Sequence, residues 1–414
     1  MYDFAFDIKG LSREFKRSDF GGRPELVDET KKDALLREAV NQAEVGFPSL
    51  HLKQSTVRSK TLYQPEDISQ KLVLRKLTRN IARLTKVKQS DRDTIIRSLK
   101  VIFSEGHAFR IYKLDIRQFY ESVDLDAILN EFRRDKGFPP ASLKVLNSLA
   151  SNLRQLGVPG LPRGMAVSAI LSEYAMRSFD RAVRSEKSVY YSARYVDDVI
   201  IVSTGSENKK KFMRKLREVL PTGVNFNNGK CKTTEFFVRP RKGTRKVEGE
   251  VNFLGYKFSI FEQERKDDRS ILRRVDTDMS DKKVRRFKTR MCLSLLQYSN
   301  DGNFADLYDR LRLLSGNYNL YDYDKKIRRN VGIYWSYRHL DPGTSSVLKG
   351  LDDFLNKLVL AKNGAFSKGG VGTLSDRQKR QILSLSFERS YATKQFHHFS
   401  GSRLAELVRC WAYE

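Results

Sequence analysis

Three aspartates stand where apolar strand-like runs end, and they carry the chemical signal of this 414-residue chain. Asp115 closes IYKLD, and Asp197 and Asp198 lie side by side between the aromatic run VYYSARYV and the apolar VIIV. A carboxylate buried at such a place costs several kcal/mol unless it is paired or binds a metal. Two adjacent carboxylates at a hairpin tip repel each other, and a divalent cation removes that penalty. Side chains alternate along a strand, so only one of the pair can point squarely at a cation. Asp197 is expected as the main ligand and Asp198 as its support. With Asp115 from a neighbouring strand they would make a hard oxygen site suited to Mg²⁺. Two such ions, about 3.5–4 Å apart, can activate a hydroxyl nucleophile and neutralise a leaving pyrophosphate. An Asp-Asp dipeptide alone is more often a solvated turn, so its neighbours have to supply the meaning.

The elements that must hold these residues can be read from periodicity. FRIYKLDI is a short buried strand, and SVYYSARYVDDVIIVST is a hairpin with a tight acidic turn. Apolar residues three and four apart predict helices around Lys31–Ala43, over most of Ile68–Phe103, at Ala127–Phe132 and Ser142–Leu156, and in VSAILSEYAMRSFDRAV. KKKFMRKLREVL is a basic amphipathic helix, and VNFLGYKFSIF is one more strand. Beyond Gln263 the reading is mostly helix, with DKKVRRFKTRMCLSLLQY and FADLYDRLRLL clearly periodic. Loops are expected at GNYNLYDY, at DPGTSS and at 363–373.

In this order the motifs resemble those of reverse transcriptases. Tyr195-Val196-Asp197-Asp198 is similar to the YxDD box, and LDIRQFYESV to motif A, with an aromatic five residues beyond the aspartate. LPRGMAVSAILSEYAM resembles the motif-B loop and helix, FNNGKCKT the Asn-x-x-Lys of motif D, and NFLGYKF the primer-grip hairpin. RNIARLTKVKQSDRDTII, FYES, and PRG followed by LSE resemble the bacterial antiphage branch, the abortive-infection and defence-associated enzymes. MYDFAFDIKGL and the chain length are most similar to the smaller, a-type enzyme of type 3 defence-associated systems. The chain departs from retroviral and retron patterns in lacking a readable basic fingers motif with a Gly-bearing turn before residue 110. The helical stretch after residue 265 is also longer than a thumb needs.

The resemblance implies an RNA-directed DNA polymerase that works by two-metal nucleotidyl transfer, with two Mg²⁺ ions for which Mn²⁺ can substitute. The implied metal positions are Asp115, Ile116, Asp197 and Asp198. Lys230, or Lys232 in a register shifted by two, would serve the leaving pyrophosphate. Tyr120 sits where the family keeps a steric gate against a 2′-OH; Phe119 beside it reads as core packing but is grouped with it. Arg163, Gly164, Tyr195 and Arg92 complete the substrate-binding set, with Leu254 and Gly255 at the primer grip. Basic runs at Lys282, Lys283, Arg285 and Arg286 and at Lys325 and Lys326 could grip a nucleic-acid backbone. The implied partners are a noncoding RNA as template or scaffold, dNTPs, the DNA product, a companion reverse transcriptase and a homo- or hetero-oligomer.

A formal net charge of +28 and a pI near 9.9 agree with a polyanionic partner. Cys231, Cys292 and Cys410 are too far apart for a zinc knuckle and suit a reducing cytosol. The N-terminus has no signal-peptide h-region, and no run is long and apolar enough to span a membrane; an intracellular protein is expected, and the resemblance implies the bacterial cytoplasm. The expected fold is α+β, a right-hand polymerase with an antiparallel palm sheet. Residues 1–110 would form the N-terminal region and fingers, 111–262 the palm (with a fingers segment at 127–160), 263–340 a helical thumb and 341–414 a C-terminal helical extension. The rivals are a retron-type enzyme, an RNA-dependent RNA polymerase and an idle RNA-binding scaffold with a palm fold. Val196 and Tyr120 argue against the RNA polymerase, and the intact aspartate set argues against the scaffold.

Overall fold

Period-2 and period-3.6 apolar patterns separate well along the first half of the chain, and most become the element they specify. The computed structural model describes residues 3–21, 23–57, 60–238, 246–266, 270–322, 327–361 and 372–412. They fall into two compact units, one made of Met1–Arg92 and Ala108–Phe237, the other of Asp93–His107 and Val238–Glu414. This division differs from the fourfold one drawn from sequence: the β-hairpin expected to close the palm belongs to the second unit.

In chain order the first part contains α1 (Ile8–Ser12), α2 (Glu29–Val45), β1 (Leu52–Val57), β2 (Lys60–Pro65) and α3 (Ile68–Thr85). α4 (Arg92–Phe103) passes into the second unit. There follow β3 (Phe109–Asp115), α5 (Phe119–Ser122), α6 (Leu125–Arg134), α7 (Pro140–Gln155), α8 (Ala166–Arg184), β4 (Val189–Tyr195), β5 (Asp198–Ser203), α9 (Lys209–Glu218) and β6 (Lys232–Phe236). An antiparallel sheet in the order β4-β5-β3-β6 forms the floor of this unit. β5 is central and Val199–Ser203 are all buried, which is why VIIV reads as a continuous apolar run. Tyr112, Leu114 and Ile201 of the sheet share one core with Leu72 and Leu77 of α3, Leu146 of α7, and Leu171 and Phe179 of α8. The β1–β2 hairpin escaped the sequence reading: β1 is exposed along nearly its whole length, so burial leaves no alternation to detect.

The second unit contains α4, an antiparallel sheet of β7 (Val247–Phe253), β8 (Tyr256–Lys266) and β9 (Ser270–Met279), and the helices α10 (Asp281–Asp301) and α11 (Phe304–Ser315). A hairpin of β10 (Asn317–Asp322) and β11 (Ile327–Gly332) follows, then α12 (Ile333–Ser336), α13 (Val347–Leu360), α14 (Asp376–Leu383), α15 (Phe387–Ala392) and α16 (Gly401–Val408). The α+β class expected from sequence is observed. Two local readings are corrected. VNFLGYKFSIF is two strands joined at Leu254-Gly255, not one, and β9–β11 interrupt a region read as helix and loop. β9 hid because two of its inward positions are polar. Arg273, Val275, Thr277 and Met279 all face inward, with Arg273 donating to the Glu105 and His107 carbonyls.

Candidate active site

The catalytic geometry begins with strand register. β3 ends on Asp115 and β5 begins on Asp198, and the two are directly opposite each other. Opposed residues of an antiparallel pair share a face, so these carboxylates are neighbours. Tyr195 pairs with Asp198, which leaves a loop of only Val196 and Asp197. Val196 has φ +60°, a left-handed conformation that a β-branched residue adopts only under constraint. The Ile116 amide donates to the Asp197 carbonyl at 3.1 Å, and the Asn227 amide to the Asp115 carbonyl at 2.7 Å. Backbone bonds thus fix both sides of the acidic turn.

A buried ion network holds the turn from behind. Arg194, only 7 % exposed, donates to both carboxylate oxygens of Glu173 (3.1 and 2.6 Å) and to Asp180 (2.8 Å). Its Nη1 also donates to the Val196 carbonyl at 3.2 Å. Sequence reasoning missed Arg194 and its pairing with Glu173 and Asp180. The available signal was Glu173 and Asp180 seven apart on one helix face, matched by a lone arginine in an aromatic strand.

Burial first, and then the Asp197 charge, push the Asp198 carboxyl up to about 6; Asp115 adds to the effect, while Lys113 and Lys230 oppose it. The Lys230 ammonium is 3.5 Å from the Asp115 carboxylate. Lys232, the other motif-D lysine, opens β6 opposite Lys113. Asp198 is the residue opposite Asp115, and Asp197 occupies the turn, where its charge acts on Tyr120 and Arg163. Among the described residues no three Asp, Glu, His or Cys side chains converge on one point. Asp115 and Asp198 are assembled in one neighbourhood, with Asp197 on the adjoining turn.

On the other side, Tyr120 lies half-buried in α5, edge-on to Phe119. Burial, and then the Glu173 charge, raise its hydroxyl pKa above the usual tyrosine value. The Arg163 guanidinium lies 5.1 Å from the Tyr120 ring centre and pairs with Glu121 through two hydrogen bonds of 2.5 and 2.8 Å. The motif-B loop rests directly on α5. Leu161 donates its amide to the Tyr120 carbonyl at 2.9 Å, and Gly160, at φ +55°, would set a Cβ 2.5 Å from the Glu121 carbonyl. Gly164, at φ +93°, approaches Tyr63 of β2, whose amide donates to the Arg163 carbonyl at 2.7 Å. The unforeseen β1–β2 hairpin is therefore laced to the motif-B loop. Its exposed Lys60 acts electrostatically on Glu121.

Other expected positions fare differently. Phe119 is 1 % exposed and belongs to the core, so its grouping with substrate-binding residues is corrected. The Ile116 side chain is also buried, with its backbone bridged to Phe226. Tyr195 is half-buried beside Asp198, and Arg92 is the first residue of α4. In the second unit Leu254 (φ +46°) and Gly255 (φ +85°) form a tight turn of the type I′ class between β7 and β8. Lys282, Lys283, Arg285 and Arg286 occupy the first turns of α10. Lys325 and Lys326 lie outside the described residues, as does most of 363–373.

Residues 66–258 match the family model described as reverse transcriptase (RNA-dependent DNA polymerase). No curated protein matches the chain in sequence. Similar solved structures include apo telomerase from Candida tropicalis truncated from the C-terminal domain. That one shows 13% identity over 51% of this chain and 53% of that one, with a TM-score of 0.35. Telomerase from Candida albicans in complex with a TWJ fragment of telomeric RNA shows 12% identity over 88% of this chain and 62% of that one, with a TM-score of 0.35. The chain spans about half to two thirds of the length of these telomerases. The family match takes in β3, the β4–β5 hairpin and Lys230, the parts that place the carboxylates and their counter-charge. Residues 66–258 of this chain are therefore similar to a reverse-transcriptase domain.

Proposed function

We propose that the chain is an RNA-directed DNA polymerase that extends a primer with deoxynucleoside triphosphates. The observation that carries this reading is the opposition of Asp115 and Asp198, with Asp197 on the adjoining turn, inside a region similar to a reverse-transcriptase domain. The donor set fits a hard divalent cation: Asp115, Asp197 and Asp198 supply carboxylate oxygens, and a cation would offset the burial and the Asp197 charge that hold the Asp198 carboxyl near 6. Mg²⁺ is commonly held by one or two carboxylates plus substrate phosphates rather than by an all-protein cage. Asp115 and Asp198 would hold it, with Asp197 as the nearest further donor, and Mn²⁺ is the expected substitute. When bound, two such cations favour the ionised primer hydroxyl and offset charge on the leaving group.

The chain's own residues define the rest. The primer 3′-oxygen bonds to the α-phosphorus of the incoming nucleotide as the bond from that phosphorus to the β-phosphate bridging oxygen breaks, releasing pyrophosphate. Lys230, beside Asp115, would give pyrophosphate a proton or a counter-charge. Tyr120 fills volume that a 2′-OH would need, and Lys60 on the β1–β2 hairpin is a cation for the triphosphate. Primer extension on an RNA template is the test, comparing the wild type with an Asp197→Asn/Asp198→Asn variant. Incorporation by the variant near wild-type level would overturn the assignment.

The finer reading is a role in bacterial antiphage defence, in the cytoplasm, on a noncoding RNA and with a companion reverse transcriptase in a homo- or hetero-oligomer. It is supported by the segments before motif A and within motifs A and B that resemble defence-associated enzymes. Sequencing the nucleic acid that copurifies with the chain tests it. One discrete RNA with complementary DNA supports the reading, whereas RNA without DNA favours the scaffold. A retron-type enzyme is the alternative, and phage plaque counts with the double variant separate defence from other roles.

A further inference from the structure

A cavity of about 300 Å³ lies in the second unit, remote in sequence from the aspartates. Three cations line it from one face of α10: Lys283, Arg286 and Arg290, spaced at three and four residues. No Asp or Glu is among the described residues lining it. Its aromatic walls are Phe287, also on α10, Tyr318 of β10, Tyr337 and Trp411. Trp411 is a fixed wall: it is 5 % exposed, and its indole N–H donates to the Arg290 carbonyl and the Ser294 hydroxyl, both at 3.2 Å. The Arg290 guanidinium stands 5.0 Å from the Trp411 ring centre.

Flat aromatic walls beside guanidinium groups are the chemistry that receives a nucleobase and its phosphate together. The volume is at the lower end of what ligand sites offer, about 300–1,000 Å³, which suits one nucleotide and excludes a duplex. A nucleotide matches both parts of the lining, its phosphate the cationic face of α10 and its base the aromatic walls. We propose that this cavity binds a single nucleotide, base and phosphate together, either free or unstacked from a single-stranded RNA. The site is separate from the polymerase carboxylates and does not depend on them.

Trp335 and Trp411 are the two tryptophans of the chain. The Trp335 indole N–H is buried without a hydrogen-bond partner, so Trp335→Phe sacrifices no bond and leaves Trp411 as the sole reporter. The full chain carrying Trp335→Phe is titrated with AMP, with adenosine and with the single-stranded oligomer rA12, following Trp411 emission. The expected result is saturable quenching by AMP or rA12. Adding Arg286→Gln and Arg290→Gln should raise the half-saturation concentration at least tenfold, and adenosine should bind at least tenfold more weakly than AMP. Quenching by AMP and rA12 alike assigns a site open to free nucleotides; quenching by rA12 alone assigns a residue of a strand. If the arginine variant does not fold, Tyr318→Leu, which removes one aromatic wall, carries the same comparison. Absence of quenching by both probes, or quenching that the substitutions leave unchanged, overturns the proposal. Asp197→Asn/Asp198→Asn should leave the quenching intact, so failure of this site and failure of the polymerase reading are separable.

Discussion

Arg194 donates a hydrogen bond to the Val196 carbonyl at 3.2 Å while the same guanidinium is bound by Glu173 and Asp180. One buried cation thus joins helix α8 to the strained turn that carries Asp197. Replacing Arg194 with Leu leaves two carboxylates without their partner and frees the turn, at a cost of roughly 3–5 kcal/mol. Arg194→Lys keeps the charge but loses the forked geometry and should fall between the wild type and Leu. Thermal melting measures the first effect, and primer extension normalised to the folded fraction measures the second. Full specific activity in the folded Arg194→Lys protein would show that the arginine stabilises the domain without positioning the turn.

The Asp198 carboxyl has a folded value of about 6 against an ordinary 3.8. The folded chain therefore keeps a proton that the unfolded chain has already released between those values. That contribution to stability is complete below about pH 4 and is lost as pH rises through 6. In a chelator, Asp198→Asn should remove this part of the pH dependence and raise the melting temperature at pH 7 by roughly 2–4 °C. The same ionisation sets an acid limit on activity, because a protonated Asp198 cannot ligate a cation. A pH dependence of melting identical in the wild type and the variant would refute the assignment of the shift to Asp198.

Tyr120 rests against Phe119 on one side and Arg163 on another, so its ring has little freedom to move aside for a larger sugar. Shrinking it to Val should lower the preference for dNTP over rNTP at least tenfold, about 1.4 kcal/mol in transition-state discrimination. Single-nucleotide incorporation kinetics give the ratio. Equal losses with both substrates would make Tyr120 a packing residue.

On α10, Lys282 and Arg285 are exposed, whereas Lys283 and Arg286 line the cavity. Replacing all four with Gln should flatten the slope of log RNA affinity against log salt by roughly two to three, close to one per phosphate lost. Affinity should fall with little regard to RNA sequence, since phosphate contacts position a strand rather than read it. Changing only Lys282 and Arg285 should lower the slope by about one to two and leave Trp411 quenching in place. Coincident slopes for the wild type and the quadruple variant would assign this face to protein contacts.

Sequence alone determined the parts of this protein whose cause is local. Asp115 and the Asp197–Asp198 pair were legible because apolar strand residues frame them, and α8 was legible because its 3.6-residue period is unbroken. Positions whose meaning depends on a distant partner were not. Lys230 and Lys232 read alike along the chain, and only the fold sets the Lys230 ammonium 3.5 Å from Asp115. Arg194 looked like any polar residue in a strand until Glu173 and Asp180 closed around it. The β1–β2 hairpin and β9 carried no apolar alternation, the one because it is exposed and the other because polar Arg273 and Thr277 fill buried positions. Register had the final say at the site itself. Alternation along one strand cannot reveal which residue of a neighbouring strand lies opposite, and only the paired sheet made Asp198 the partner of Asp115.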